Sequence, residues 1–138
     1  MGSVFRSESV AMTEEYGRRL ADELRPGTVV AFFGGMGMGK TAMVRGIAAG
    51  MGLTAEVSSP TFALVHDYGG QPPLVHFDMF RITGWEDLYS TGFFDYLDAG
   101  AVLVVEWSEN IEAALPADDT IRIHIRRVDE TTREIERE

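Results

Sequence analysis

The chain has 138 residues, a formal net charge of −10, 45% hydrophobic and 25% charged residues, and no cysteine. Its length suits a single domain with a real core, residues 1–138, and the missing thiols exclude disulfides, a zinc ribbon and a cysteine nucleophile. The acidity argues against direct binding to the phosphate backbone of RNA or DNA as the main task.

No window approaches the ~18 apolar residues of a membrane span. The opening "MGSVFRSESVAMTEEYG" has no apolar core like that of a secretory signal, so a cytoplasmic location is expected. Residues 10–24 read as a helix: Tyr16, Leu20 and Leu24 recur at helical spacing, Glu14–Arg18 and Glu15–Arg19 are favourable pairs on the wet side, and "RPG" stops it. "TVVAFF" (Thr28–Phe33) reads as a strand buried on both faces. A glycine-rich stretch follows, and a second helix is expected from near Lys40, with Val44, Ile47, Ala48 and Met51 as its buried stripe and Gly50 and Gly52 as stop signals. "TFALVHDY" and "PLVHFDMF" around "GGQPP" predict a strand–turn–strand unit. Residues 84–98 predict one or two short helices, and "AVLVVEW" (Ala101–Trp107) a central strand. "TIRIHIRRV" alternates, with Ile121, Ile123 and Ile125 inward and Arg122, His124 and Arg126 outward; "TREIERE" reads as a last edge strand. Arg122, Arg126 and Arg127 form the one dense basic cluster and read as a solvated strand face.

"GGMGMGKT" (Gly34–Thr41) follows a strand and opens a helix, which is the context a phosphate-binding P-loop requires. Successive backbone N–H groups curl into an anion site, the helix N-terminus adds partial positive charge, and side chains in the curl would keep phosphate off the backbone. Lys40 is the only lysine in the chain; eleven arginines supply the other positive charges. A compact ammonium on a flexible stem suits the β- and γ-phosphates better than a planar guanidinium does. The Thr41 hydroxyl is the expected ligand of Mg²⁺.

Mg²⁺ on a nucleotide also needs one or two carboxylates at strand ends. Asp78 ends "LVHFD" and Glu106 ends "AVLVVE", each after an apolar run. "SSPTF" (Ser58–Phe62) joins the second helix to the next strand, and Thr61 is the candidate for a switch-like contact with metal and γ-phosphate, on a loop stiffened by Pro60. His66 and His76 can face each other across the hairpin; with His124 they read as structural or surface residues. Trp107 reads as core packing or as a contact near the nucleotide. The chain has a single asparagine and no second lysine, so the Asn-Lys-x-Asp box of guanine-specific P-loop proteins is absent and ATP is favoured.

"GGMGMGKT", "SSPTFALV", "HFDMFR" and "VEWSE", in this order and spacing, with Thr13, Gly17 and Leu20 at the front, resemble the TsaE (YjeE) family over nearly the whole chain. The resemblance implies a P-loop α/β fold with a mixed central sheet flanked by helices. It implies a weak Mg²⁺-dependent ATPase of tRNA threonylcarbamoyladenosine biosynthesis that resets TsaB-like and TsaD-like partners by hydrolysis and meets tRNA only through them. Carried over by position, Gly37, Met38, Gly39, Lys40 and Thr41, with Gly35 and Ala42 beside them, hold the phosphates of ATP. Thr41 and Glu106 resemble the metal ligands, Lys40 and Asp78 the catalytic groups, Thr61 belongs to the switch-like loop, and Glu109 and Arg133 are further nucleotide contacts. The chain departs from the family's usual pattern at Gly35 (aspartate), Met38 (alanine), Phe80 (tyrosine) and Ser108 (proline). A small-molecule or nucleotide kinase and a non-hydrolytic ATP-sensing assembly factor are the alternatives. No lid-like insertion that a kinase would use to exclude water is evident between the strands.

Overall fold

The apolar runs of the sequence become the middle of one mixed sheet. The computed structural model describes residues 2–33, 39–53 and 65–138. In chain order the elements are β1 (Ser3–Ser7), α1 (Val10–Ala21), β2 (Val29–Phe33), α2 (Lys40–Gly50), β3 (Val65–Gly70), β4 (Pro73–Asp78), α3 (Trp85–Ser90), α4 (Phe93–Asp98), β5 (Val102–Glu106), a 3₁₀ segment (Ser108–Ala114), β6 (Thr120–Arg127) and β7 (Arg133–Arg137). The sheet runs β1-β7-β6-β2-β5-β4-β3. β6, β2, β5 and β4 are mutually parallel, while β3 at one side and β7 and β1 at the other run antiparallel to their neighbours. The carboxyl ends of β2, β5 and β4 therefore open on the same edge, where ligands bind in sheets of this kind.

β2 and β5 are buried on both faces, as their unbroken apolar runs require. One face packs Val30, Phe32, Leu74, Val102, Val104, Ile123 and Ile125 beneath α1 and α2, and the other packs Val29, Ala31, Val75, Phe77, Leu103 and Val105 against Leu88, Phe93, Ile111 and Leu115. The expected stripe of α2 is buried at Val44, Ile47 and Ala48, with Met51 at its margin. Residues 84–98 form two short helices, separated by Gly92 with φ 81°.

Three local expectations are corrected. "TREIERE" is not the edge, because β1 pairs outside it in antiparallel register from Ser3–Arg137 to Ser7–Arg133. β1 carries little pattern: Val4 is exposed and Phe5 is its inward apolar residue, packed on Tyr16 at 5.3 Å between ring centres. α1 ends at Ala21, and the backbone continues to Leu24 through bonds such as Leu24 N–H to the Ala21 carbonyl rather than as helix. Of the two pairs expected on α1, Glu15–Arg19 forms at 3.5 Å, but Glu14 turns to Arg45 of α2 at 2.6 Å. Glu14 and Arg45 meet across helices that approach closely enough for backbone to lie against glycine.

That closeness rests on glycine. A Cβ on Gly17 would sit 2.2 Å from the Met43 carbonyl oxygen, and one on Gly46 would sit 1.9 Å from that of Glu14. Both obstacles are backbone, so relief requires moving a helix. Gly46→Ala should lower unfolding free energy by about 2 kcal/mol or more and the melting midpoint by roughly 6–10 °C. Urea and thermal unfolding of the variant check this; an unchanged midpoint would mean that the helices part without cost.

Candidate functional site

Strand register brings the two candidate carboxylates together. Asp78, the last residue of β4, lies opposite Glu106, the last residue of β5, and the next backbone bond, Met79 N–H to the Glu106 carbonyl, continues the pairing at 3.1 Å. Residues opposite one another in register point to the same face, here the face that α1 and α2 cover, since Leu74 and Val104 of the same alternation pack beneath them. Glu106 is only 2% exposed, an unusual position for a carboxylate. Asp78 is half-buried, and its Oδ1 accepts the Phe80 N–H at 3.0 Å, which aims the carboxylate along the outgoing loop.

Lys40 opens α2 above this edge and is as buried as Glu106. Burial pushes its ammonium below the ordinary lysine range, while the carboxylates of Glu106 and Glu109 pull the other way. Thus Glu106 and Glu109 both act electrostatically on Lys40, from 66 and 69 residues further along the sequence. Thr41 follows on the first turn of α2 and is half-buried. Gly39, the residue before the helix, has φ 91°, a conformation that favours glycine, and its carbonyl accepts the Met43 N–H at 3.1 Å. Gly35, Gly37, Met38 and Thr61 lie outside the described residues.

Gly39, Ala42 and Arg133, three of the expected nucleotide contacts, line one cavity of about 250 Å³ together with Thr13 and Glu130. Arg133 Nη1 donates to the carbonyls of Asp129 (2.8 Å) and Thr132 (3.1 Å), while its Nε is buried without a hydrogen-bond partner among the described residues. Arg81 is exposed and Arg126 pairs with Glu134 at 2.6 Å. The rest of the basic cluster is likewise occupied: Arg122 pairs with Glu112 at 3.1 Å and lies over the Phe33 ring, and Arg127 Nε donates to the Asp129 carbonyl at 3.4 Å.

The turn after β5 is built to hold the site. Trp107 sits at φ 59°, a left-handed conformation that is costly for a bulky residue, and packs against Phe80 with ring centres 4.9 Å apart. Ser108 is fully buried and donates from Oγ to the Val105 carbonyl at 3.0 Å. Asn110 Nδ2 donates to the carbonyls of Met79 (2.9 Å) and Phe80 (3.3 Å), tying the turn to the loop that leaves β4.

One residue of this constellation, His76, reads in the sequence as structural or surface. His76 is fully buried, and its Nε2 lies 2.8 Å from Oε2 of Glu106. The hairpin does bring His66 opposite His76, but His66 stacks on Tyr68 with ring centres 4.2 Å apart. The usable signal was alternation: His76 lies two residues before Asp78, hence on the same face of β4.

The fold and this edge define an α/β protein with a mixed sheet and a charged, partly buried site at the carboxyl ends of its parallel strands. Residues 7–135 match the family described as threonylcarbamoyl adenosine biosynthesis protein TsaE. The chain belongs to that family. It is 35% identical over 129 residues to the tRNA threonylcarbamoyladenosine biosynthesis protein TsaE of Treponema pallidum, covering 94% of this chain and 95% of that protein. It is 41% identical over 125 residues to the protein of the same description from Streptomyces coelicolor, covering 88% and 84%. The crystal structure of Bacillus subtilis YdiB superposes with a TM-score of 0.81 at 30% identity, over 99% of this chain and 84% of that one.

The buried ammonium has a measurable consequence. Because folding lowers the Lys40 pKa, the unfolded chain keeps that proton to higher pH than the folded chain does. Unfolding free energy therefore gains from Lys40 as pH climbs from the depressed folded value to the unfolded lysine value. In Lys40→Met this contribution is absent. Denaturant unfolding from about pH 7 to about pH 10 should show the stability of wild type relative to Lys40→Met rising with pH; a flat difference would mean that burial leaves the ammonium untouched.

Proposed function

We propose that this chain is a slow Mg²⁺-dependent ATPase that serves the tRNA threonylcarbamoyladenosine modification machinery as an accessory subunit. The observation that carries the reading is the convergence of Lys40, the one lysine, with the buried carboxylate of Glu106 at the end of a glycine-rich run. Membership of the family and the description carried by the relatives support the pathway. The net charge of −10 supports a division of labour in which TsaB-like and TsaD-like partners hold the tRNA and ATP hydrolysis here resets that pair. Such a task belongs in the cytoplasm.

The residues suit the metal. Among the described residues no group of three His, Cys, Asp or Glu could cage an ion. Mg²⁺ asks for less, because it takes one or two protein oxygens and completes its shell with water and phosphate oxygens. Glu106 and the Thr41 hydroxyl are those oxygens. When bound, Mg²⁺ neutralises charge on the phosphate oxygens.

The remaining work falls to the chain's own groups. The desolvated ammonium of Lys40 meets β- and γ-phosphate oxygens, so binding and charge stabilisation coincide. The backbone amides of Gly35, Gly37, Met38 and Gly39 would hold the phosphates, and Thr61 is the candidate contact to the γ-phosphate. Gly39, Ala42 and Arg133 border the adjoining cavity, and Glu109 balances the charge of Lys40. Asp78 orients a water for in-line attack and takes its proton: the new oxygen–phosphorus bond forms at the γ-phosphate, the bond to the β–γ bridging oxygen breaks, and ADP leaves.

Calorimetry with Mg²⁺-ATP should register binding to wild type, and Lys40→Ala should weaken it about tenfold or more, the scale of a lost charge-assisted hydrogen bond. Asp78→Asn should keep that binding within about threefold and lose phosphate release, with tRNA modification by the reconstituted partners falling in parallel. Absence of binding heat, with and without the partners, would overturn the reading; a phosphorylated acceptor in place of free phosphate would turn it into a kinase.

A further inference from the structure

Glu106 is not held by burial alone. The hydrogen bond that His76 makes is to its Oε2, at 2.8 Å, and both side chains are almost wholly inaccessible. A carboxylate can only accept, so Nε2 carries the hydrogen. The other ring nitrogen, Nδ1, is buried without a hydrogen-bond partner among the described residues. His76 therefore directs its Nε2 at one carboxylate oxygen.

The surroundings make this arrangement specific. Along β4, His76 sits among Leu74, Val75 and Phe77, all fully buried, and the Tyr68 ring lies 6.4 Å away between centres. An imidazole in such a place loses solvation, and a role in packing alone would be served by an apolar side chain. The hydrogen bond to Glu106 is what distinguishes it. Metal-ligating side chains are commonly held by such outer partners, which fix their orientation.

We propose that His76 is the positioning residue of Glu106: by donating from Nε2 to Oε2 it locks the carboxylate rotamer and leaves the second oxygen, Oε1, outside that bond for the nucleotide-bound cation. This inference rests on the ATPase reading, since it assigns a purpose to the ligand that reading requires.

The test uses Mn²⁺ as the probe, followed by electron paramagnetic resonance in the presence of a non-hydrolysable ATP analogue. His76→Leu should weaken Mn²⁺ uptake about tenfold or more, the usual cost of losing an outer-shell partner, and leave analogue binding in chelator unchanged. His76→Gln, whose amide can reach the same oxygen, should recover most of the loss. Equal Mn²⁺ affinity in wild type and His76→Leu would overturn the proposal alone. A wild-type chain that binds no nucleotide would overturn the ATPase reading, and this proposal with it. Should neither variant fold, long-range ¹⁵N–¹H spectra of wild type decide: the Nε2-protonated tautomer is expected, and an Nδ1-protonated ring would overturn the assignment.

Discussion

A buried ammonium and a buried carboxylate share the edge where β4 and β5 end and α2 begins, and the rest of the fold is arranged so that this can persist. Taking Lys40 and Glu106 out of water is costly for each. Burial still outweighs the carboxylates in setting the Lys40 pKa, so the pair does not fully compensate itself. A site of this sort holds only if the elements carrying the charges cannot drift apart. The parallel register of β4 and β5 fixes Asp78 beside Glu106, and the bare backbone contact of α1 with α2 at Gly17 and Gly46 seats the helix that Lys40 opens.

The loops complete what the strands begin. Trp107 accepts a left-handed conformation at a cost of order 1 kcal/mol or more, and the adjoining residues return that cost in order: Ser108 bonds back to Val105, and Asn110 ties the turn to Met79 and Phe80. Two of the departures implied by the sequence resemblance fall here. Ser108 uses its hydroxyl inside the turn, and Phe80, without a tyrosine's hydroxyl, packs on Trp107. Neither displaces Asp78 or Glu106 from register.

The surface is organised by a different rule. Arg122 and Arg126 of β6 are matched by acids on neighbouring elements, in pairs exposed enough that each adds little to stability. What remains is a strongly acidic molecule. For a protein of the TsaE family this is consistent with the proposed role, in which chemistry on a nucleotide is done here while nucleic acid is gripped elsewhere.

Much of this was present in the order of residues alone. Unbroken apolar runs marked β2 and β5, because a strand covered on both faces has no polar alternation to show. Glycines before a lone lysine, and acids placed just after apolar runs, marked Lys40, Asp78 and Glu106, because phosphate and metal chemistry need particular groups at strand and helix ends. Tertiary structure alone decided that His76 reaches Glu106, that Glu14 prefers Arg45 to Arg18, that Gly39, Ala42 and Arg133 border one cavity, and that β1 closes the sheet beyond β7. The reason is range. Periods of two and 3.6 residues report only what one element presents to its own faces, whereas each of these contacts joins segments whose meeting depends on register and helix separation, quantities that no local pattern carries.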